Sequence, residues 1–293
     1  MEASFIFSQF MAGLTTAMFL FLIASGLSLI FGVLRVLNFA HGSFYMLGAY
    51  LAWQFVQWLQ PMHGAFWPAV LAAALGIALL GAIVERLLFR WLYGREELYQ
   101  LLFTYALVLI LGDAAKLTWG VQQLSVPGPP VLSGAVQAFG ATLPVYNLFI
   151  MAVGPLIAVL VWLMLTRSSL GRMVRAAALD REMLDALGAN VGWLYTAMFA
   201  LSTFLAGLAG GLVTPIQGIV PGMDVEIIVQ AFIVVVIGGL GSFWGTFWGS
   251  MIYGQVLSFG ILIFPGFSLF SVFALMAVIL IVRPWGLFGQ PIR

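Results

Sequence analysis

Apolar residues gather along the chain into nine runs, at about 9–32, 38–59, 66–89, 98–119, 145–166, 192–213, 225–241, 245–264 and 267–282. Most reach the ~20 residues that a helix needs to cross a ~30 Å hydrocarbon layer. A backbone in lipid must satisfy its own hydrogen bonds, so the pattern predicts helices. The expected fold is an all-α, polytopic integral membrane helical bundle of about 8–9 transmembrane helices, a single domain over 1–293. Two runs weaken where the others are continuous. The run at 225–241 is short and led by Asp224 and Glu226, and the run at 38–59 opens with polar residues. Either is a candidate broken or re-entrant segment, which a membrane tolerates only inside protein or along a cavity.

One stretch has a different rhythm. Between Arg167 and Asn190 lie seven of the chain's 21 charged residues, with Ala176, Leu179, Met183, Ala186 and Leu187 recurring at helical intervals among them. The spacing predicts an amphipathic surface helix of about four turns, centred on about 170–188, between two membrane spans. Gly188 suits the left-handed cap that ends a helix, and Asn190 suits the N-cap of the next one. A solvated loop on the headgroups and a docking helix for a cytoplasmic protein both fit this pattern.

Composition narrows the class. The chain is 63% apolar and only 7% charged, against ~25% charged in soluble domains, so no soluble domain is left over. Cysteine is absent, which excludes disulfides and thiolate chemistry, and two distant histidines, His41 and His63, make a poor metal or haem site. The N-terminus has no basic stretch before its first apolar run, so that run is expected to be a retained span. Placing the 167–190 segment in the cytoplasm puts ten of the eleven Lys and Arg residues inside, with only Lys116 outside. The N-terminus is then expected outside and the C-terminus inside. Lys116 and Asp113 are spaced to pair on one helix face. The proline-rich stretch 120–144 is the one long external loop.

Small and polar residues mark positions within the spans. Asn38 is a natural N-cap, which places His41 at the third helical position; His41 is either a packed residue bonded to a carbonyl or a pathway group. Gly207 and Gly211, with Ala206 and Gly210, let another helix approach, and Gly241, Gly245 and Gly249 repeat every four residues beside the row Ser242, Thr246, Ser250. Gly-Ser-Phe occurs at 42–44 and again at 241–243, each at the inner end of a run, which hints at a parallel internal duplication with a pathway between the copies. The candidate gate residues are therefore Asn38, His41, Gly42, Ser43, Gly241, Ser242 and Trp244.

Other chemistry is missing. There is no G-x-x-x-x-G-K-[ST] loop, no H-E-x-x-H and no G-x-S-x-G, so no enzyme is expected. The acids lie near span ends or in loops, which disfavours a proton- or sodium-coupled carrier. A passive channel remains, or a permease powered by another chain.

The segments GLSLIFGVLRVLNFAHGSFYMLGAY (26–50), RAAALDREMLDALGAN (175–190), VIGGLGSFWGTFWG (236–249) and RPWGLFG (283–289) resemble the first permease subunit of the branched-chain amino-acid (Liv-type) ABC importers, in order from about residue 10 to 289. The resemblance implies a bacterial inner-membrane protein and a second, homologous permease. It further implies two cytoplasmic ATPases that hold ATP and magnesium, and a periplasmic substrate-binding protein. Besides membrane lipid, no other partner is expected: no nucleic acid, and no cofactor or metal on this chain. Carried over, the role of a coupling helix seated on the ATPase falls on Arg172, Arg175, Ala176, Asp180, Glu182, Leu187 and Gly188. Where relatives carry a glycine and a basic residue after the sixth span, this chain has Pro221, Gly222, Met223, Asp224, Val225 and Glu226, an acidic outer rim expected to alter receptor docking. Relatives also import urea, short amides and small carboxylates, so the substrate stays open. The alternative is a homo-oligomeric channel or facilitator for a small polar solute.

Overall fold

The structure, a computed structural model, describes residues 3–60, 62, 64–263 and 265–289. His63 and Arg293 lie outside the described residues. The helices are α1 (Ala3–Leu34), α2 (His41–Trp58), α3 (Phe66–Leu87), α4 (Glu97–Trp119), α5 (Val145–Arg167), α6 (Ser169–Leu179), α7 (Arg181–Ala186), α8 (Val191–Val213), α9 (Met223–Gly238), α10 (Phe243–Ile263) and α11 (Ser268–Val282). The protein is an all-α polytopic membrane bundle. Each of the nine apolar runs forms a helix, but among the described residues only α1, α3, α4, α5, α8 and α10 are long and apolar enough to cross a membrane alone. The other three, α2, α9 and α11, have 18, 16 and 15 residues. Two of them are the runs the sequence marks as interrupted.

Burial separates a central frame from an outer ring. Of the most apolar stretch of α1, 83% is buried, against 17% for α4 and 22% for α5. Leu102, Leu109, Ile110 and Leu117 of α4 point outward, as expected of a helix facing lipid. The frame closes on small residues. A Cβ at position 207 of α8 would stand 2.9 Å from the Ile77 Cβ of α3, and one at 211 would stand 2.9 Å from the Val70 Cγ1. Without those side chains two backbones pack at close range, which is how helices associate where lipid removes the hydrophobic drive. Gly238 of α9 faces Gly245 of α10 in the same way, and a Cβ at 249 would lie 3.0 Å from the Gly238 nitrogen. The segment after α11 folds back here: Leu287 and Phe288 donate backbone N–H groups to the carbonyls of Ile237 and Gly238 at 3.0 and 2.9 Å. It thereby occupies carbonyls that a helix end leaves free.

The proline-rich loop is not featureless. Strands β1 (Ala135–Ala138) and β2 (Ala141–Pro144) pair antiparallel. They are joined by Phe139 and Gly140, whose φ values of 51 and 76 suit a two-residue hairpin turn. The Phe139 ring rests on Phe7, edge to face at 5.0 Å. Leu124 also pairs with Ile219 in an isolated bridge, so the connector after α8 is tied to this same end.

Candidate functional site

The charged segment is two helices rather than one of four turns. Asp180 breaks it: φ −151 and ψ 103 are extended backbone. Its side chain accepts from the Met183 amide at 2.9 Å, capping α7. An aspartate that satisfies an orphan amide two or three residues on competes with helical continuation, worth ~1 kcal/mol. The Asp-Arg-Glu sequence, an acceptor followed by an acid in the next turn, was the available signal. The other ends follow the sequence closely. Ser168 caps α6 by accepting from the Gly171 amide at 3.0 Å, Gly188 has φ +85, and Asn190 accepts from the Trp193 amide at 2.8 Å.

Val174, Ala177 and Leu184 of this pair are buried in a hydrophobic cluster with Leu29 and Val33 of α1 and Leu194 and Met198 of α8. Its other side is open. Leu179, Met183 and Leu187 are 88%, 58% and 76% exposed, with Arg172, Arg175, Asp180, Glu182 and Gly188 also exposed and Ala176 half-buried. An apolar surface among charges at the polar end of a membrane bundle has the make-up of a protein-binding surface.

The second constellation lies where α2 begins. The chain leaves α1 at Leu34, turns at Arg35 with φ 53, and runs back beside α1 before helix resumes at His41. His41 Nε2 lies 2.9 Å from the Ile23 carbonyl oxygen. Ile23 is eleven residues before the end of α1, about 16 Å at the helical rise, so α2 starts well inside the bundle. Gly26 makes room: a Cβ there would be 2.9 Å from the His41 ring. Asn38 is not the cap. Ala40 holds that position without a side-chain bond, and His41 is the first helical residue, not the third. The backbone turned before Asn38 could reach the first amides, and its carbonyl takes the His41 N–H instead, at 3.2 Å. Asn38 is fully buried and neither amide atom finds a partner among the described residues; the same holds for His41 Nδ1.

Here α2 meets α9, beginning against beginning. Ser43 donates to Asp224 Oδ2 at 2.8 Å, Phe39 stacks on Phe232 at 5.5 Å, and a Cβ at Gly42 would stand 3.0 Å from the Ile228 Cβ. The positive ends of both helices therefore bear on one carboxylate, the arrangement that stabilises an anion without a paired cation. This corrects the acidic rim: Asp224 is only 3% exposed, while Glu226 faces outward and accepts from Gln230 at 3.2 Å. A helix start was too short a signal for burial to be read from the local sequence.

The other proposed gate segment stands apart. Gly241, with φ +78, precedes α10 in a turn, and a Cβ there would be 3.0 Å from the Gly32 Cα. Ser242 caps α10, accepting from the Gly245 amide at 3.1 Å. Trp244 is 41% exposed on the flank of the bundle. The two Gly-Ser-Phe copies thus have different neighbours: Gly42 and Ser43 meet Asp224 and Ile228 of α9, whereas Gly241 meets Gly32 and Phe243 meets Phe21, both of α1.

One buried group escaped the sequence reading. Glu85, in the last turn of α3, is 2% exposed and accepts from the hydroxyls of Tyr93 at 2.8 Å and Thr196 of α8 at 2.5 Å. Burial, then the Glu85 charge, pushes the pKa of Tyr93 up, so its proton stays in place to donate. Tyr93 and Thr196 are 103 positions apart, so no local pattern could announce the partnership. Asp113 and Lys116, by contrast, pair at 3.0 Å as their spacing predicts.

A membrane bundle with helices that start in its interior and an open amphipathic pair at its basic end is built as a permease. Residues 9–282 match the family described as branched-chain amino acid transport system / permease component, and the chain belongs to that family. It is similar to the high-affinity branched-chain amino acid transport system permease protein BraD of Pseudomonas aeruginosa, 29% identical over 97% of this chain and 95% of the relative. LivH of Escherichia coli is 28% identical over 98% and 96%, and a probable LivH of Methanocaldococcus jannaschii 26% over 80% and 75%. Among solved structures, PsaBC from Streptococcus pneumoniae in complex with Fab aligns over 92% of this chain and 89% of that one, at 16% identity and a TM-score of 0.44. The protein is a LivH-like multi-pass permease, a transport subunit rather than an enzyme.

Proposed function

We propose that this chain forms, with a second homologous permease, the translocation pathway of an ABC importer for branched-chain amino acids in a bacterial inner membrane. Two cytoplasmic ATPases drive the pair, and a periplasmic binding protein delivers the substrate. The N-terminus lies outside and the C-terminus in the cytoplasm, since this orientation gathers the arginines on the cytoplasmic side. The substrate class is that of the relatives that align along nearly the whole chain. The carrying observation is the exposure of Leu179 at the end of α6, Met183 on α7 and Leu187 just after it, an apolar surface that needs a protein to cover it. Arg172, Arg175, Ala176, Asp180, Glu182, Leu187 and Gly188 are the coupling residues on or beside it. Asn38, His41, Gly42 and Ser43, together with Asp224, form the gate, and Gly241, Ser242 and Trp244 serve the flank. Gly188→Val tests the docking: a β-branched residue cannot hold φ +85 without strain. Co-purification with the ATPases and ATP-driven uptake should both be lost in the variant; if both survive intact, the docking role is wrong.

A further inference from the structure

Besides the packing of Val174, Ala177 and Leu184 against α1 and α8, two side-chain ties lead from the α6–α7 pair into the bundle, on opposite sides of Asp180. On the α6 side, Arg35 Nη2 donates to the Ala178 carbonyl at 3.4 Å. Arg35 also carries positive φ, 53, a conformation that an arginine adopts only when its surroundings hold it there. The residues that follow, 36–40, are the ones that carry Asn38 and deliver His41 to α1. The end of α6 is thus connected through one side chain to the segment that sets the start of α2.

On the α7 side the tie is broader. The Arg181 guanidinium lies 5.9 Å from the centre of the Tyr195 ring, and Tyr195 packs edge to face on Tyr93 at 5.2 Å. Tyr93 in turn bonds Glu85, which also holds Thr196. These contacts join α7 to the end of α3 and the first turns of α8, the pair closed by Gly207 and Gly211. A continuous helix would move both ties together. The extended backbone at Asp180 lets α6, with Val174 and Ala177 in the cluster it shares with α1 and α8, shift relative to α7.

Building on the importer reading, we propose that Asp180 is a joint: α7 is anchored to the α3–α8 frame through Arg181, Tyr195, Tyr93 and Glu85, while Arg35 is the positioning residue that passes the motion of α6 to the 36–40 segment and so to Asn38 and His41. The test is Arg35→Gly in the complete importer, reconstituted with its ATPases, second permease and substrate-loaded binding protein. Glycine takes φ 53 freely, so the fold loses the guanidinium and keeps its backbone. The expected result is full assembly, a melting temperature no lower than that of the natural protein, continued ATP hydrolysis, and at least a tenfold fall in substrate imported per ATP. Hydrogen exchange of the 36–40 amides should also lose its response to ATP while that of 181–186 keeps it. An unchanged import ratio, an unchanged exchange response in 36–40, or loss of assembly in the variant would each overturn the proposal. Absence of ATP-driven uptake by the natural complex would instead defeat the importer reading itself, before any variant is compared.

Discussion

The α3–α8 interface and the α2–α9 crossing are both built on small residues, yet they are finished in opposite ways. Between α3 and α8, Gly207 and Gly211 admit Ile77 and Val70, and the polar Thr203 returns its hydroxyl to its own helix, 3.0 Å from the Phe199 carbonyl. Buried Glu85 of α3 is likewise satisfied, by Tyr93 and by Thr196 of α8, and among the described residues no polar side chain of this interface is left without a partner. At the α2–α9 crossing the Ser43–Asp224 bond spans the helices, and beside it the Asn38 amide and His41 Nδ1 are buried without partners. Each such group costs ~1–3 kcal/mol relative to a partnered one. The lesson is that close packing with its buried polar groups satisfied makes a wall, whereas close packing over unsatisfied polar groups makes a contact poised to separate and take up water or solute.

That contrast can be broken or sharpened in four ways. The largest effect is expected in the wall: Gly207→Leu drives a side chain into Ile77 and Ala74 and should lower stability by about 3 kcal/mol, read as a drop in the melting temperature of the solubilised protein. Next, Asp224→Ala removes the Ser43–Asp224 bond across the crossing and the charge that two helix starts stabilise. It should cost about 2 kcal/mol and abolish uptake; a variant with normal stability and transport would show the crossing to be an ordinary contact. Asn38→Leu should go the other way, raising stability by about 1 kcal/mol, because an apolar side chain replaces a buried amide that nothing satisfies. Uptake should nonetheless fall at least tenfold, and a variant that is both more stable and fully active would remove Asn38 from the gate. Smallest is Asp113→Asn, which breaks an ion pair whose side chains are 48% and 71% exposed. Such pairs contribute little in water, so melting temperature and uptake should both stay unchanged.

Legibility in the sequence followed the range of the interactions. Gly188, Asn190 and the Asp113–Lys116 pair could be read because each depends on neighbours within one turn. The Gly245 and Gly249 strip showed that some helix would come close, but only the fold names Gly238 and Val234 as what it meets. Asn38 was misread as a cap because capping depends on the backbone around it, and the turn at Arg35 sends that backbone back along α1. Asp224 was misplaced on a surface for a related reason. An acid at a helix start is normally solvated, unless, as here, a second helix start is brought against it. The amphipathic period across Asp180 was real on both sides of the residue, and the cap that divides it is worth too little to disturb the pattern.

The order of apolar and charged segments by itself determined that this chain is a helical membrane bundle with one amphipathic interruption, because a lipid solvent leaves a backbone few other solutions and hydropathy is a local property. Only the tertiary structure decided that α2 begins beside Ile23, that Asp224 is shared by two helix starts, and that Glu85 binds Tyr93 and Thr196. Those facts come from side chains far apart in sequence, whose meeting depends on helix positions that hydropathy leaves open.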